Sequence, residues 1–227
     1  MDYFINPTRS VAIHARRAIH EIYSIHALIK RNSLMDWILA SASPRRKELF
    51  AGLVENFEIL PSNAEEIVEG DPTPEELVKT LAFQKAQEVA LRAEASGKAV
   101  LGSDTVVAFE GKVLGKPKDE AEAFSMLSLL SGNTHQVYTG VCILYPKKDG
   151  GRYAFIEADC TEVVFEKLSK EQILAYIATG SPMDKAGAYG IQDGGLVKEI
   201  KGSFSNVVGL PLELCKEMIG AIKGSLA

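Results

Sequence analysis

The chain has 227 residues, 46% hydrophobic and 24% charged, with 30 acidic against 25 basic residues and a formal net charge of −5. That composition supports one well-buried core of one or two lobes, and its sign argues against a general nucleic-acid binder. No apolar run approaches the roughly 18 residues of a membrane span. Three widely spaced cysteines (Cys142, Cys160, Cys215) without a C-x-x-C pair fit neither a disulfide framework nor a zinc site, so a reducing cytoplasmic setting is expected.

Residues 1–34 differ from the remainder, with five Lys or Arg against two acidic residues and three of the four histidines (His14, His20, His26). Ser10 to Ile29 reads as a loosely striped basic helix, and an arginine-bearing, acid-poor segment suits targeting. Histidines six apart rotate by about 240° per step on a helix, which argues against a metal-binding face. Met35-Asp36-Trp37-Ile38-Leu39-Ala40 resembles a natural start that runs directly into a strand. The expectation is an extension over 1–34, from a misplaced start or a targeting segment, and one folded domain over 35–227.

Trp37 to Ala40 reads as a short buried strand that ends in Ser41-Ala42-Ser43-Pro44-Arg45-Arg46. Ser43 suits a helix cap and Pro44 a first helical position, leaving free backbone N–H groups pointing out of the helix start. Arg45 and Arg46 oppose the macrodipole there, an arrangement that makes sense when a phosphate sits between them. Phe57 to Pro61 is the next strand. The acidic loop after it (Glu65, Glu66, Glu69, Asp71) is mostly solvated surface, with Glu65 or Glu66 within reach of a metal. Pro72 and Pro74 introduce a helix from Glu75 to about Ala95, with Leu77, Leu81, Ala82, Ala86 and Val89 as its buried stripe. Lys85 shares a row with Leu77 and Leu81, so it either snorkels to solvent or enters a site.

The central stretch is Leu101-Gly102-Ser103-Asp104-Thr105-Val106-Val107, an apolar strand interrupted by one carboxylate. A charge placed there must be paired, hydrated in a cleft or bound to a metal. Phe109 to Val113 reads as a hairpin leading to Gly115-Lys116-Pro117, and Asp119-x-x-Glu122 as a capping box. The helix it opens buries Ala123, Met126, Leu127 and Leu130 and stops at Gly132. Strands follow over His135 to Leu144 and Tyr153 to Phe165, with His135 a structural, hydrogen-bonding histidine. Ser169-x-x-Gln172 caps another helix ending at Gly180. In Asp184-Lys185-Ala186-Gly187-Ala188-Tyr189-Gly190-Ile191-Gln192 the glycines allow close backbone approach to a ligand. Val197 to Ile200 and Val207-Val208 read as short strands, and Pro211 to Ile222 as a closing helix.

The charged candidates are thus Arg45, Arg46, Lys85 and Lys116 against Asp104 and a loop glutamate. Without a P-loop, a G-x-S-x-G elbow or a Cys/His pair, they describe a polyphosphate site. Basic groups hold the phosphates and stabilise a leaving group, while a carboxylate orients water or holds Mg2+. These residues leave the base and metal-ligand roles of Asp104 open.

Read in order, Leu39-Ala40-Ser41-Ala42-Ser43-Pro44-Arg45-Arg46, Lys85-Ala86, Gly102-Ser103-Asp104-Thr105, Gly115-Lys116-Pro117, Leu130-Ser131-Gly132 with His135, Thr139-Gly140-Val141, the Asp184–Gln192 segment and Asn206-Val207-Val208-Gly209-Leu210-Pro211 resemble the Maf-type nucleoside triphosphate pyrophosphatases. The resemblance implies an α/β fold with an elongated mixed sheet, flanking helices and two lobes around a cleft, similar to the inosine triphosphatase group. It implies conversion of a nucleoside triphosphate to its monophosphate and pyrophosphate with a divalent metal, Mg2+ or Mn2+, in a homodimer. It makes Asp104 the catalytic acid/base and Arg45, Thr105 and Gln192 the residues of nucleobase preference. Ser43, Arg46, Lys85 and Lys116 are then expected to bind phosphate, and Asp104 with Glu66 the metal. The Gln192 segment resembles the branch acting on dTTP and UTP, and an amide suits a pyrimidine edge because it both donates and accepts. Competing expectations are a pyrophosphatase for 7-methyl-GTP or deaminated purines, and a nucleotide-binding regulator of cell division.

Overall fold

A computed structural model describes residues 36–226; the histidine-bearing N-terminal stretch lies outside the described residues. The sheet is organised around β3 (Ala99–Phe109). Its start is flanked by β1 (Trp37–Leu39), parallel to it from Trp37↔Ala99 to Leu39↔Leu101, and β2 (Phe57–Ile59) continues parallel to β1. The other edge of β3 pairs antiparallel with β5 (Thr134–Pro146) from Val100↔Leu144 to Ala108↔Gln136. Antiparallel β6 (Arg152–Phe165) and β7 (Val197–Lys201) complete the order β2-β1-β3-β5-β6-β7. At its end β3 turns through Glu110 and Gly111, both at positive φ (50° and 76°), into β4 (Lys112–Leu114). That is the twist-matched turn of a two-residue hairpin.

This pairing leaves a gap. On one edge of β3, β1 ends opposite Leu101 and antiparallel β4 ends opposite Val107. Residues 102–106, with Asp104 at their centre, therefore have no strand neighbour on that side. In open α/β sheets such a break at the carboxyl ends of parallel strands is where ligands bind.

Helices cover both faces. α1 (Pro44–Ala51), α3 (Glu120–Leu130), α4 (Lys170–Ile177), α5 (Phe204–Val208) and α6 (Leu212–Leu226) accompany the larger core, which contains Phe50, Leu101, Leu127, Val141, Phe165 and Ile222. α2 (Pro74–Ala90) covers the opposite face, where Ala82, Ala86 and Val89 pack with Ile38, Val100 and Cys142. Two strand glycines permit its close seat. A Cβ on Gly102 would lie 2.7 Å from the Ala86 nitrogen, and one on Gly140 would collide with the Val78 carbonyl.

Several local expectations are corrected. Val207-Val208 ends a helix rather than forming a strand, because Ser203 caps it by accepting the Asn206 N–H and Gly209 stops it at φ 125°. The long helix ends at Ala90, with a separate 3-10 turn over Ala93–Ala95, and Val78 replaces Leu77 in its buried stripe. At Asp119 only half of the capping box forms: Asp119 accepts the Glu122 N–H, while Glu122 accepts from Lys118 N instead. The Ser169/Gln172 box is complete.

His135 is fully buried against Phe165 and shares a 2.7 Å hydrogen bond with the Tyr189 hydroxyl. Burial pushes its pKa down to about 4 from 6.5. The unfolded chain therefore binds an extra proton between those values. The associated stability is complete above about pH 6.5 and is lost as pH falls through about 4, roughly 3 kcal/mol in all. Urea midpoints measured from pH 7 down to pH 4 should fall less steeply in His135→Phe than in the parent; parallel slopes would contradict this assignment.

Candidate active site

The loop after β1 builds its own helix start. The Ser41 hydroxyl accepts the Ser43 N–H at 3.2 Å, Ser43 caps α1 by accepting the Arg46 N–H at 3.4 Å, and Pro44 takes the first turn. No acidic residue occupies that turn. The two arginines leave it differently. Arg46 is clasped: Nε donates to the Gly209 carbonyl at 2.9 Å and Nη2 to Thr105 Oγ1 at 3.0 Å. Thr105 in turn lies 3.0 Å from Thr139 Oγ1, which donates to the Asn206 carbonyl at 2.9 Å. Because Thr139 spends its proton on that carbonyl, Thr105 donates to Thr139, and the chain of bonds runs one way from Arg46 to α5. Burial lowers the pKa of Arg46, and the nearby Asp104 charge opposes that shift. The guanidinium keeps three further N–H donors. Arg45, half-buried, makes no side-chain hydrogen bond or ion pair among the described residues; after Lys185, its charge helps hold the Asp184 carboxyl below its usual pKa.

Alternation along β3 sends Ser103 and Thr105 toward α5 and Asp104 toward α2. There, Asp104 Oδ1 accepts from Lys85 Nζ at 2.5 Å, and Glu66 Oε1 lies 2.8 Å from the same nitrogen. The side chains of Lys85 and Asp104 are 18% and 13% exposed, that of Glu66 55%, so the inner pair is sheltered and the outer carboxylate is wet. Lys85 thus enters the site and does not snorkel. Glu65, the alternative loop glutamate, makes no such pair among the described residues.

Lys116 is exposed on the loop beyond β4, with no side-chain partner among the described residues. Its neighbour Gly115 accepts the Gly187 N–H at 3.0 Å, which joins this loop to the glycine-rich segment. Gly187 sits at φ 67° with its Cα against Val107, where a Cβ would be 2.9 Å from Val107 Cγ1. Gln192 is exposed on a 3-10 turn over Ile191–Asp193.

Among the described residues no three His, Cys, Asp or Glu side chains gather as a metal cage. The donor set that does converge is Asp104 and Glu66 around Lys85. By donor chemistry, one or two carboxylates suit a Mg2+-like ion, which completes its shell with water and substrate phosphates. Thr139 and Asn206 stand in motifs the sequence analysis names but were given no site role there; Thr139 holds Thr105, and the Asn206 amide donates to Val137 O and Thr161 Oγ1, each at 2.9 Å.

A mixed-sheet α/β protein with a sheltered carboxylate–lysine pair at a break in its sheet, beside a helix start carrying two arginines, has the site of an anion-handling enzyme. The Maf family, described as Maf-like protein, matches residues 36–222, and the chain belongs to it. It is 51% identical over 179 residues to the dTTP/UTP pyrophosphatase of Thermococcus gammatolerans, covering 78% of this chain and 91% of that protein. Against the dTTP/UTP pyrophosphatase of Clostridium perfringens strain 13 it is 49% identical over 181 residues, covering 78% and 92%. A protein of the same name from a Geobacillus species is 50% identical over 177 residues, covering 77% and 91%. Among solved structures, a HAM1 protein from Coxiella burnetii aligns over 85% of this chain and all of its own at 13% identity with a TM-score of 0.43.

Proposed function

We propose that the protein is a nucleoside triphosphate pyrophosphatase that hydrolyses dTTP and UTP to the monophosphate and pyrophosphate. The observation that carries this reading is the near-50% identity to proteins of that name over nine-tenths of their length. The reaction breaks the anhydride between the α- and β-phosphates and adds water across it. In this reading Asp104 takes the proton of the attacking water, and Lys85 orients that carboxylate. Arg46, Lys116 and the N–H groups capped by Ser43 neutralise charge on the departing pyrophosphate. Arg45, Thr105 and Gln192 face the nucleoside end. A bound divalent cation, Mg2+ or Mn2+, would be held by Asp104 and Glu66 and supplies charge neutralisation on the phosphate oxygens. The reading extends to a cytoplasmic homodimer that does not engage nucleic acid, in keeping with its net charge of −5. No helix among the described residues is long and apolar enough to cross a membrane.

The purified protein, incubated with Mg2+ and a panel of canonical, methylated and deaminated triphosphates, should release pyrophosphate fastest from dTTP and UTP. Preference for 7-methyl-GTP or ITP, or release of orthophosphate in place of pyrophosphate, would overturn the assignment.

A further inference from the structure

The turn that presents Gln192 is closed by a hydroxyl from outside the glycine-rich segment. Tyr176, near the end of α4, donates to Asp193 Oδ2 at 2.5 Å and accepts the Gly190 N–H at 3.0 Å. Between those anchors the Asp193 N–H donates to the Gly190 carbonyl at 3.1 Å. The three bonds form a ring around the Ile191-Gln192 tip. Within it Ile191 is buried and Gln192 exposed, so the ring seats one side chain in the core and turns the next outward. A second layer braces it. The Ser181 hydroxyl donates to the same Asp193 oxygen at 2.6 Å, and Lys185 Nζ donates to the Ser181 hydroxyl and carbonyl at 2.9 and 2.7 Å. The turn is closely packed at position 190, where a Cβ would lie 2.8 Å from Lys185 Cε and 2.9 Å from Asp193 Oδ2 and would push both side-chain ends aside. Beneath the turn, Tyr189 is anchored by its hydrogen bond to His135.

We propose that Tyr176 is a positioning residue for nucleobase selection, acting through the ring it closes around Gln192. The proposal rests on the reading of Gln192 as the residue that meets the base. An amide discriminates between bases only when its donor and acceptor are both held at hydrogen-bonding distance and angle, because a wrong base is rejected by the polar groups it leaves unpaired. A tip free to rotate finds compromise contacts with several bases and loses that rejection. The hydrogen bonds of Tyr176 reach none of Asp104, Lys85, Thr105 or Arg46, so the phosphate chemistry should stay intact when they are removed.

The test is Tyr176→Phe, which keeps the ring in place and removes both bonds, with kcat and KM measured for dTTP and for dGTP. The ratio of the two kcat/KM values is expected to fall about tenfold, through a higher KM for dTTP, with kcat for dTTP within about twofold of the parent. A purely structural role would lower the melting temperature and scale both nucleotides alike; an unchanged ratio overturns the proposal. Gln192→Ala separates the two layers of the argument. If it leaves the ratio unchanged, the base-reading role of Gln192 fails and the proposal with it. If it lowers the ratio while Tyr176→Phe does not, only the role of Tyr176 fails. Should Tyr176→Phe not fold, Asp193→Asn, which keeps an acceptor for the hydroxyl, should preserve selectivity where Asp193→Ala loses it; equal ratios in that pair overturn the proposal as well.

Discussion

Asp104→Asn is expected to abolish pyrophosphate release, lowering kcat by about a thousandfold or more, while the protein remains folded. The substitution is nearly isosteric, so the strand pairing opposite Gly140 and the seat beneath α2 are undisturbed. The amide oxygen can still accept from Lys85 but cannot take a proton from water. Nor is a sheltered ammonium left alone, because Glu66 remains 2.8 Å from Lys85 Nζ. The stability change should therefore stay within about 1 kcal/mol, in contrast to the larger penalty of a buried charge without any partner. Pyrophosphate release at saturating dTTP, with a urea midpoint on the same sample, checks both halves. Activity within tenfold of the parent would remove Asp104 from the proton-transfer role.

The legibility of this site in the sequence follows the range of the interactions that build it. Asp104 could be found because a charge in an apolar strand needs a local reason. The start of α1 could be found because Ser43, Pro44 and Arg46 carry their signal within four consecutive positions. Lys85 was readable only halfway: its helical row was evident, but whether it reached solvent or a carboxylate depended on how closely α2 sits on β3. Val207-Val208 misled because β-branched propensity favours a strand, whereas the Ser203 cap and the Gly209 stop decide in favour of a helix. Thr139 and Asn206 meet across 67 positions, and Tyr176 reaches Gly190 and Asp193 across 14 and 17. A surface-type tyrosine on an amphipathic helix announces no such partner. The sheet order was likewise beyond pattern reading, and with it the gap at residues 102–106 that gives the site its place.

Gly140→Ala should damage stability and activity together, through one displacement. Gly140 is the cross-strand partner of Asp104 and shares its face of the sheet. Over it lies the helix backbone: an added Cβ would collide with the Val78 carbonyl and come within 2.9 Å of the Lys79 nitrogen. Backbone atoms inside a helix cannot swing aside as a flexible side-chain end does, so α2 must lift. That move strips contacts from Val78, Ala82 and Ala86, each fully buried. Overpacking of this kind costs about 3 kcal/mol, which for a chain of this size lowers the melting temperature by about 6–12 °C. Lys85 lies two turns along the same helix, and its 2.5 Å bond to Asp104 depends on that seat. Misplacing it should lower kcat by about tenfold or more in the protein that remains folded. Gly97→Ala is the control. Its backbone is left-handed at φ 71°, but nothing lies within 4 Å of an added Cβ. That variant should lose about 1 kcal/mol to backbone strain alone and keep full activity. If Gly140→Ala instead melts with the parent and turns over dTTP at the parental rate, the close seat of α2 does not govern the Lys85–Asp104 pair.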